Sequence, residues 1–133
     1  MGTARARTTT GITLDTGALI ALDRGDKRMI ALLQRAVAQG RGFRVPAGVV
    51  GQAWRDGRVQ ATLARFLRSE EVEIVPLDDQ LARACGELCG ASNTADVIDA
   101  SVVILARERR GPVVTSNPED LRHLDPSAHI IAV

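Results

Sequence analysis

Residues 94–106 read Thr-Ala-Asp-Val-Ile-Asp-Ala-Ser-Val-Val-Ile-Leu-Ala, an apolar run with two carboxylates near its beginning. If the run is a helix, Asp96 and Asp99 project from one face because they are three residues apart. The other residues are apolar almost all round, which indicates a buried helix. A buried carboxylate is costly unless a cation, a metal ion or hydrogen-bond donors compensate it. The stretch therefore predicts a central helix with negative charge in its first turn.

Two explanations of that charge remain open on this stretch alone. Thr94 is a good N-cap, and an aspartate in the first turn is favoured by the helix dipole. This explains Asp96 well, but it explains Asp99 poorly because the helix is apolar by that point. A metal site that uses both carboxylates is the other explanation.

Short apolar strands alternate with helices along the chain. Strands are predicted at 12–14, 43–45, 72–75, 113–115 and 129–133. Such alternation is typical of an α/β fold whose mostly parallel sheet is covered on both faces. With 133 residues, 45% of them hydrophobic, we expect one domain over 11–133 after a disordered lead at 1–10.

Local signals predict where several helices begin. Thr16 is predicted to cap the first helix, and Asp26 and Asp78 are predicted to cap two later ones. Another helix is predicted over 58–67.

Composition excludes several classes of function. Aromatic residues make up 2% of the chain, which argues against a base-stacking surface for single-stranded RNA. Cys85 and Cys89 lack a second pair of ligands, so they predict small buried residues rather than a zinc site. The sequence has no Ser-His-Asp order of a catalytic triad, no glycine-rich phosphate-binding loop and no fingerprint of a dinucleotide-binding fold. No apolar stretch has the length of a membrane span or of a secretory signal, so we expect a cytoplasmic protein without a membrane partner.

Polar side chains follow the predicted strands in two places. Asp15 comes directly after the first strand, and residues 115–117 with Asp120 follow the fourth. In parallel α/β sheets, ligands bind outside the carboxyl ends of the strands. If Asp96 and Asp99 meet these residues there, a cation is needed between the carboxylates. Oxygen ligands without histidine or thiolate suit Mg²⁺ or Mn²⁺, and such a site is suited to phosphodiester hydrolysis.

Four segments in this order resemble the PIN domains, specifically the VapC-type toxin ribonucleases of toxin–antitoxin pairs. They are Leu-Asp-Thr-Gly-Ala-Leu-Ile-Ala-Leu at 14–22, Val-Pro-Ala-Gly-Val-Val-Gly-Gln-Ala-Trp-Arg at 45–55, the stretch at 94–106, and Val-Thr-Ser-Asn-Pro-Glu-Asp-Leu at 114–121. The resemblance covers the chain from Ile12 to Val133. It implies a PIN-like three-layer α/β/α domain around a central, mostly parallel sheet of four to five short strands.

The resemblance also implies roles for individual residues. Asp15, Asp96 and Asp120 match metal ligands, with the residue at Asn117 as the alternative to Asp120, and Asp99 is an additional acid of the catalytic group. Supporting roles fall to Thr16, Gln52, Thr115, Ser116 and Asn117.

Two positions depart from the family's pattern. Gln52 stands where the family usually has a glutamate, and Asn117 where many relatives have an aspartate. An amide keeps a carbonyl oxygen but carries no charge and cannot act as a base. Asp56 could compensate from the same helix face as Gln52, or it could simply end that helix.

The resemblance implies an Mg²⁺- or Mn²⁺-dependent endoribonuclease that cleaves tRNA or rRNA, forms a homodimer and binds a VapB-type antitoxin. The alternative is a non-catalytic PIN module that keeps RNA or antitoxin binding, which the amides at 52 and 117 motivate. Arg55 and Arg58 are candidates for an RNA groove or for an ordinary solvated surface, and Trp54 for the core or a dimer interface. A receiver-like or phosphatase domain shares the strand-end aspartates, but the lysine expected near the last strands is missing.

Overall fold

The computed structural model describes residues 11–133, so the predicted lead at 1–10 lies outside the described residues. Five strands and seven helices form within this range. In chain order they are β1 Ile12–Leu14, α1 Thr16–Asp23, α2 Lys27–Ala38, β2 Phe43–Pro46, α3 Ala47–Ala53, α4 Ala61–Leu67, β3 Val72–Val75, α5 Asp79–Ser92, α6 Val97–Arg109, β4 Val113–Thr115, α7 Pro118–Leu124 and β5 Ile130–Ala132. All five predicted strands are present.

The strands form one sheet in the order β3-β2-β1-β4-β5, and every neighbouring pair is parallel. From β1 the chain moves outward through β2 to β3, and then places β4 and β5 on the other side of β1. Because crossovers between parallel strands are right-handed, α1–α4 cover one face and α5–α7 cover the other. The contacts agree, since α1 packs on α2, α3 and α4, whereas α6 packs on α5 and α7. The predicted α/β fold is confirmed, with a sheet that is parallel throughout.

Helix α6 is the most buried helix of its layer and lies against β1, β2 and β4. Its apolar sequence makes this placement favourable, because almost every side of the helix meets protein. The buried residues are Ala100, Ser101, Val102, Val103, Leu105 and Ala106. Cys85 and Cys89 on the adjoining α5 are buried and unpaired, as predicted.

Two helices begin with a different cap from the one predicted. Asp15, not Thr16, caps α1, and its carboxylate accepts the first backbone N–H of that helix. Asp96, not Thr94, caps α6, and its carboxylate accepts the third backbone N–H of that helix, from Asp99. A carboxylate gains from both the amide hydrogen bond and the positive end of the helix dipole, which a threonine hydroxyl does not.

The remaining helix starts agree with the sequence except for one. Asp26 and Asp78 cap α2 and α5 as predicted. The helix predicted from Arg58 begins at Ala61 instead, because a turn precedes it. The buried side chain of Gln60 holds that turn by accepting two backbone N–H groups.

Arg44 on β2 is a buried cation that the sequence did not indicate; it is 8% exposed. Its Nη1 donates to the Leu105 carbonyl at 3.4 Å and to Glu108 at 3.3 Å. Its Nε lies 3.4 Å from a Glu73 oxygen without hydrogen-bond geometry. Arg44 therefore joins the centre of the sheet to the carboxyl end of α6.

Within residues 11–133, no single helix has the length and apolar character needed to cross a membrane, and only α5 with α6 meets that test as a pair bent by 105°.

A close backbone approach at Gly17 yields a test of packing between β1–α1 and β4–α7. A Cβ there would lie 1.9 Å from Ser116 Oγ and 2.9 Å from its backbone nitrogen. We expect Gly17→Ala to lower the free energy of unfolding by roughly 1–3 kcal/mol, measured by urea denaturation, because the chain must shift to admit the methyl group.

The matched control is Gly86→Ala on α5, where an added Cβ meets nothing within 4 Å. There we expect a gain of roughly 0.5–1 kcal/mol from helix propensity. Equal effects at the two positions would contradict the close approach.

Candidate functional site

The carboxyl edge of the sheet between β1 and β4 is where the strand order reverses direction, and such points are the usual ligand sites of α/β folds. Asp15 lies there, directly after β1, and is 5% exposed. Its Oδ1 accepts the Thr16 backbone N–H at 2.7 Å, and its Oδ2 accepts the Thr115 hydroxyl at 2.8 Å. Burial raises the pKa of Asp15, while the hydrogen bonds from Thr115 and Thr16 offset part of that rise.

The start of α6 brings two more carboxylates to this edge. Asp96 Oδ1 accepts the Asp99 backbone N–H at 2.9 Å, so Asp96 has the capping role that helix chemistry explains. Asp99 has no such role, as the sequence indicated. Burial raises the pKa of Asp99 to about 7, and the charges of Asp96, Asp15 and Asp120 add to the rise.

The loop from β4 into α7 supplies the fourth acid. The Asn117 backbone N–H donates to Thr115 Oγ1 at 2.9 Å, and the Asn117 side-chain amide donates to Asp120 Oδ2 at 2.8 Å. Asp120 lies in the first turn of α7, which the buried Leu121 anchors. Thr115 thus connects this loop to Asp15.

Two contacts hold the supporting residues in place. Ser116 lies directly over Gly17, an approach that the sequence gave no reason to expect. The Thr16 hydroxyl donates to Gln52 Oε1, which brings α3 to the start of α1. Gln52 is therefore next to Asp15 in the structure, although its side-chain oxygen is already hydrogen-bonded.

The segment after α3 differs from one expectation. Asp56 does not share a helix face with Gln52, because α3 ends at Ala53. Its carboxylate instead accepts from the side chain of Arg58 at 3.2 Å.

The neighbouring side chains also have local roles. The Arg55 guanidinium donates to the carbonyls of Gly51 and Trp54 at the end of α3. Trp54 is 37% exposed, so it does not belong to the core. Its ring lies over Gly57, where a Cβ would be 2.7 Å from the indole.

The charge of the site is strongly negative. Asp15, Asp96, Asp99 and Asp120 come from three separate segments, and the charges of Asp96 and Asp120 raise the pKa of both Asp15 and Asp99. Among residues 11–133, no basic side chain lowers the pKa of Asp15 or Asp99. Like charges gathered in this way favour a bound cation.

The donor set fits Mg²⁺ or Mn²⁺ in chemistry, since it consists of carboxylate and hydroxyl oxygens. Asp15, Asp96 and Asp120 are the residues that would hold the ion, with Asp99 beside them. Within the part of the chain that the structure describes, no three acidic, histidine or cysteine side chains already form a compact ligand cluster. The acids are thus near enough to repel one another, but they are not packed into a finished coordination shell.

Comparisons with known proteins bear on the fold. No protein-family model and no curated relative matches the sequence. Solved structures do match: a chain of VapBC2 from Rickettsia felis bound to promoter DNA has a TM-score of 0.67 at 17% identity, over 91% of this chain and 97% of that one. A toxin–antitoxin complex from Klebsiella pneumoniae gives a TM-score of 0.68 at 15% identity, over 92% and 97% of the two chains. VapC20 of Mycobacterium tuberculosis, a sarcin–ricin loop cleaving toxin, gives a TM-score of 0.59 at 18% identity, over 77% of this chain and 87% of that one.

At this level of identity the likeness establishes a shared fold. The predicted PIN-like architecture is confirmed by it, because the match extends over nearly the full length of both chains in the first two comparisons.

The raised pKa of Asp99 has a consequence for the metal-free protein. The folded state binds this proton with a pKa of about 7, whereas the ordinary value is 3.8. Because the folded state then binds more protons than the unfolded chain, the free energy of unfolding falls as pH rises from about 4 to about 7. We expect Asp99→Asn, measured by urea denaturation in EDTA, to reduce that slope; the raised pKa of Asp15 leaves a remainder.

Asp56→Asn is the matched control. The hydrogen bonds from Arg58 lower the pKa of Asp56 from its ordinary value of 3.8, so it is ionised in both states above about pH 5, where the slopes are compared. The control should keep the wild-type slope, and an Asp99→Asn slope equal to it would contradict the repulsion described here.

Proposed function

We propose that this protein is an Mg²⁺- or Mn²⁺-dependent endoribonuclease, the toxin of a toxin–antitoxin pair. The observation that carries the proposal is the meeting of four uncompensated acids at the switch point of a fold shared with solved toxin–antitoxin structures. One of those neighbours is a toxin that cleaves the sarcin–ricin loop. The acids that follow β1 and β4 in the sequence lie at the carboxyl ends of these strands, and this is the edge where ligands usually bind in α/β folds.

When bound, the metal ion supplies an activated water and screens charge at the scissile phosphate. The chain's own residues fix where this happens. Asp15 has one hydrogen bond on each carboxylate oxygen, which prevents the buried group from rotating. Asp99 has a pKa of about 7 in the metal-free protein, and a cation held among these acids would favour its ionised form.

RNA binding is proposed to use Arg58, whose side chain is 90% exposed although it is paired with Asp56. A phosphate can compete for such an exposed pair, since pairs of this kind contribute little free energy. Arg55 is the second candidate, but two carbonyl contacts already occupy its Nη1.

The partners follow from the same proposal. We propose a tRNA or rRNA substrate, a VapB-type antitoxin and a homodimer in the cytoplasm. The antitoxin is motivated by the neighbours, several of which are toxin–antitoxin complexes. The partly exposed Trp54 is a candidate for the dimer contact.

A second candidate function is a non-catalytic module of the same fold that binds RNA or antitoxin. The Thr16–Gln52 hydrogen bond favours it, because this bond uses one of the two lone pairs of the uncharged amide oxygen that stands in place of a carboxylate. The incomplete ligand cluster points in the same direction.

Cleavage of a pool of total tRNA and rRNA tests the first proposal. We expect the purified protein to cut RNA with Mg²⁺ or Mn²⁺ and to be inactive in EDTA. Asp96→Asn should reduce the rate by about 100-fold or more, because a lost charge at the ion is worth several kcal/mol. Asp79→Asn, the same chemical change at an exposed acid of α5 outside the acidic group, should cut at the wild-type rate. Cutting that persists in EDTA would refute metal dependence.

Calorimetric titration with Mn²⁺ separates the two functions. The nuclease proposal expects one or more ions to bind to wild type, and expects Asp15→Asn to weaken binding at least about tenfold because a charged ligand is lost. A wild-type protein that binds no Mn²⁺ at millimolar concentration would instead support the binding module.

A further inference from the structure

Asn117, in the loop between β4 and α7, contacts Asp120 directly and Asp15 through one hydroxyl. The Asn117 side-chain amide donates to Asp120 Oδ2 at 2.8 Å. The Asn117 backbone N–H donates at 2.9 Å to Thr115 Oγ1, which in turn donates to Asp15 Oδ2 at 2.8 Å. Two hydrogen-bonded paths therefore leave this residue, one toward each carboxylate.

The backbone path has a fixed direction. A hydroxyl has a single proton, and the N–H that points at Thr115 Oγ1 uses one of its lone pairs. The Thr115 proton is then directed to Asp15, whose carboxylate can only accept. The position of Asn117 thus determines the orientation of the hydroxyl that holds Asp15.

The side-chain path differs from ordinary helix capping. Asn117 occupies the N-cap position of α7, yet its side chain makes no capping hydrogen bond to the backbone of that helix. Its amide is used on the Asp120 carboxylate instead. Capping alone therefore does not explain an asparagine at this position.

An aspartate would have the opposite effect here. It would place two carboxylates where a donor and an acceptor now lie 2.8 Å apart, and like charges at that distance repel. Because asparagine is uncharged, it does not add a fifth carboxylate to the group of four acids.

We propose, on the premise of the function proposed above, that Asn117 is a positioning residue that holds Asp120 and, through Thr115, Asp15 in place for the metal ion. It is not the remnant of a lost acidic ligand.

The hydrogen bond can be observed without any nuclease activity. Asn93 and Asn117 are the only asparagines in the sequence, so a protein labelled with ¹⁵N-asparagine gives two side-chain amide pairs in a proton–nitrogen NMR spectrum. In metal-free protein we expect Asp120→Ala to move the Asn117 pair toward the position of a free amide. The Asn93 pair, in the loop after α5, is the internal control and should not move.

A charge exchange tests the repulsion. We expect Asn117→Asp to lower the melting temperature of the metal-free protein at pH 7 by about 3–5 °C, and Asn117→Asp combined with Asp120→Asn to recover most of it. The double variant again pairs one amide with one carboxylate. No recovery, or no loss in the single variant, overturns the proposal.

The functional readout is the cleavage of RNA by Asn117→Asp. We expect kcat to fall about tenfold or more with KM changed less than about twofold, since the residue acts on the acids and not on RNA binding. Faster cleavage than wild type overturns the proposal, because it would mark Asn117 as a replaced ligand.

The two proposals can fail separately. An unmoved Asn117 amide pair in Asp120→Ala overturns the positioning role even if RNA is cut. Absence of cleavage in wild type overturns the nuclease function, while the NMR shift and the charge exchange still decide whether the amide holds Asp120.

Discussion

Repulsion among four carboxylates is the constraint on which this site depends. Asp15 is buried and Asp99 is partly so, and no basic side chain in the described part of the chain lowers either pKa. A fold keeps such a group only if other interactions offset its cost. Here the compensation comes from neutral donors: a backbone N–H and a hydroxyl on Asp15, a helix N-terminus for Asp96, and an amide on Asp120. These donors hold the acids but leave their charge unneutralised, which favours a cation between them.

The topology explains why these acids meet. In the strand order β3-β2-β1-β4-β5, β1 and β4 are neighbours although about 100 residues separate them in the chain. The side chains after both strands therefore share one edge. Ser116 packs so closely over Gly17 that a methyl group would not fit, and this contact fixes the separation of the two loops. Helix α6 adds its carboxylates from the opposite layer, anchored by its buried apolar residues.

Much of the fold could be predicted from the sequence, because strands of apolar residues alternate with helices that have clear caps. The order of the strands in the sheet could not be predicted, because the pattern of apolar residues does not tell which strands pair. The caps predicted at Thr16 and Thr94 are wrong, because the carboxylates of Asp15 and Asp96 accept the N–H groups at these two helix starts. Both aspartates in fact cap a helix and belong to the acidic group. The burial of Arg44 could not be predicted either, because its partners, Glu73 and Glu108, are distant from it in the sequence.

For the site, the sequence identified the acids and the two amide positions, but not what the amides do. Whether an amide replaces a ligand or acts as a donor depends on its partner, and only the structure supplies that partner. Gln52 accepts the Thr16 hydroxyl, which uses one of the two lone pairs of its amide oxygen. Asn117 donates to Asp120. Both amides therefore lower the negative charge of the site and orient its neighbours. On the proposed function, an amide in place of an acid would weaken the binding of a cation and would also reduce the repulsion among the acids in the metal-free state.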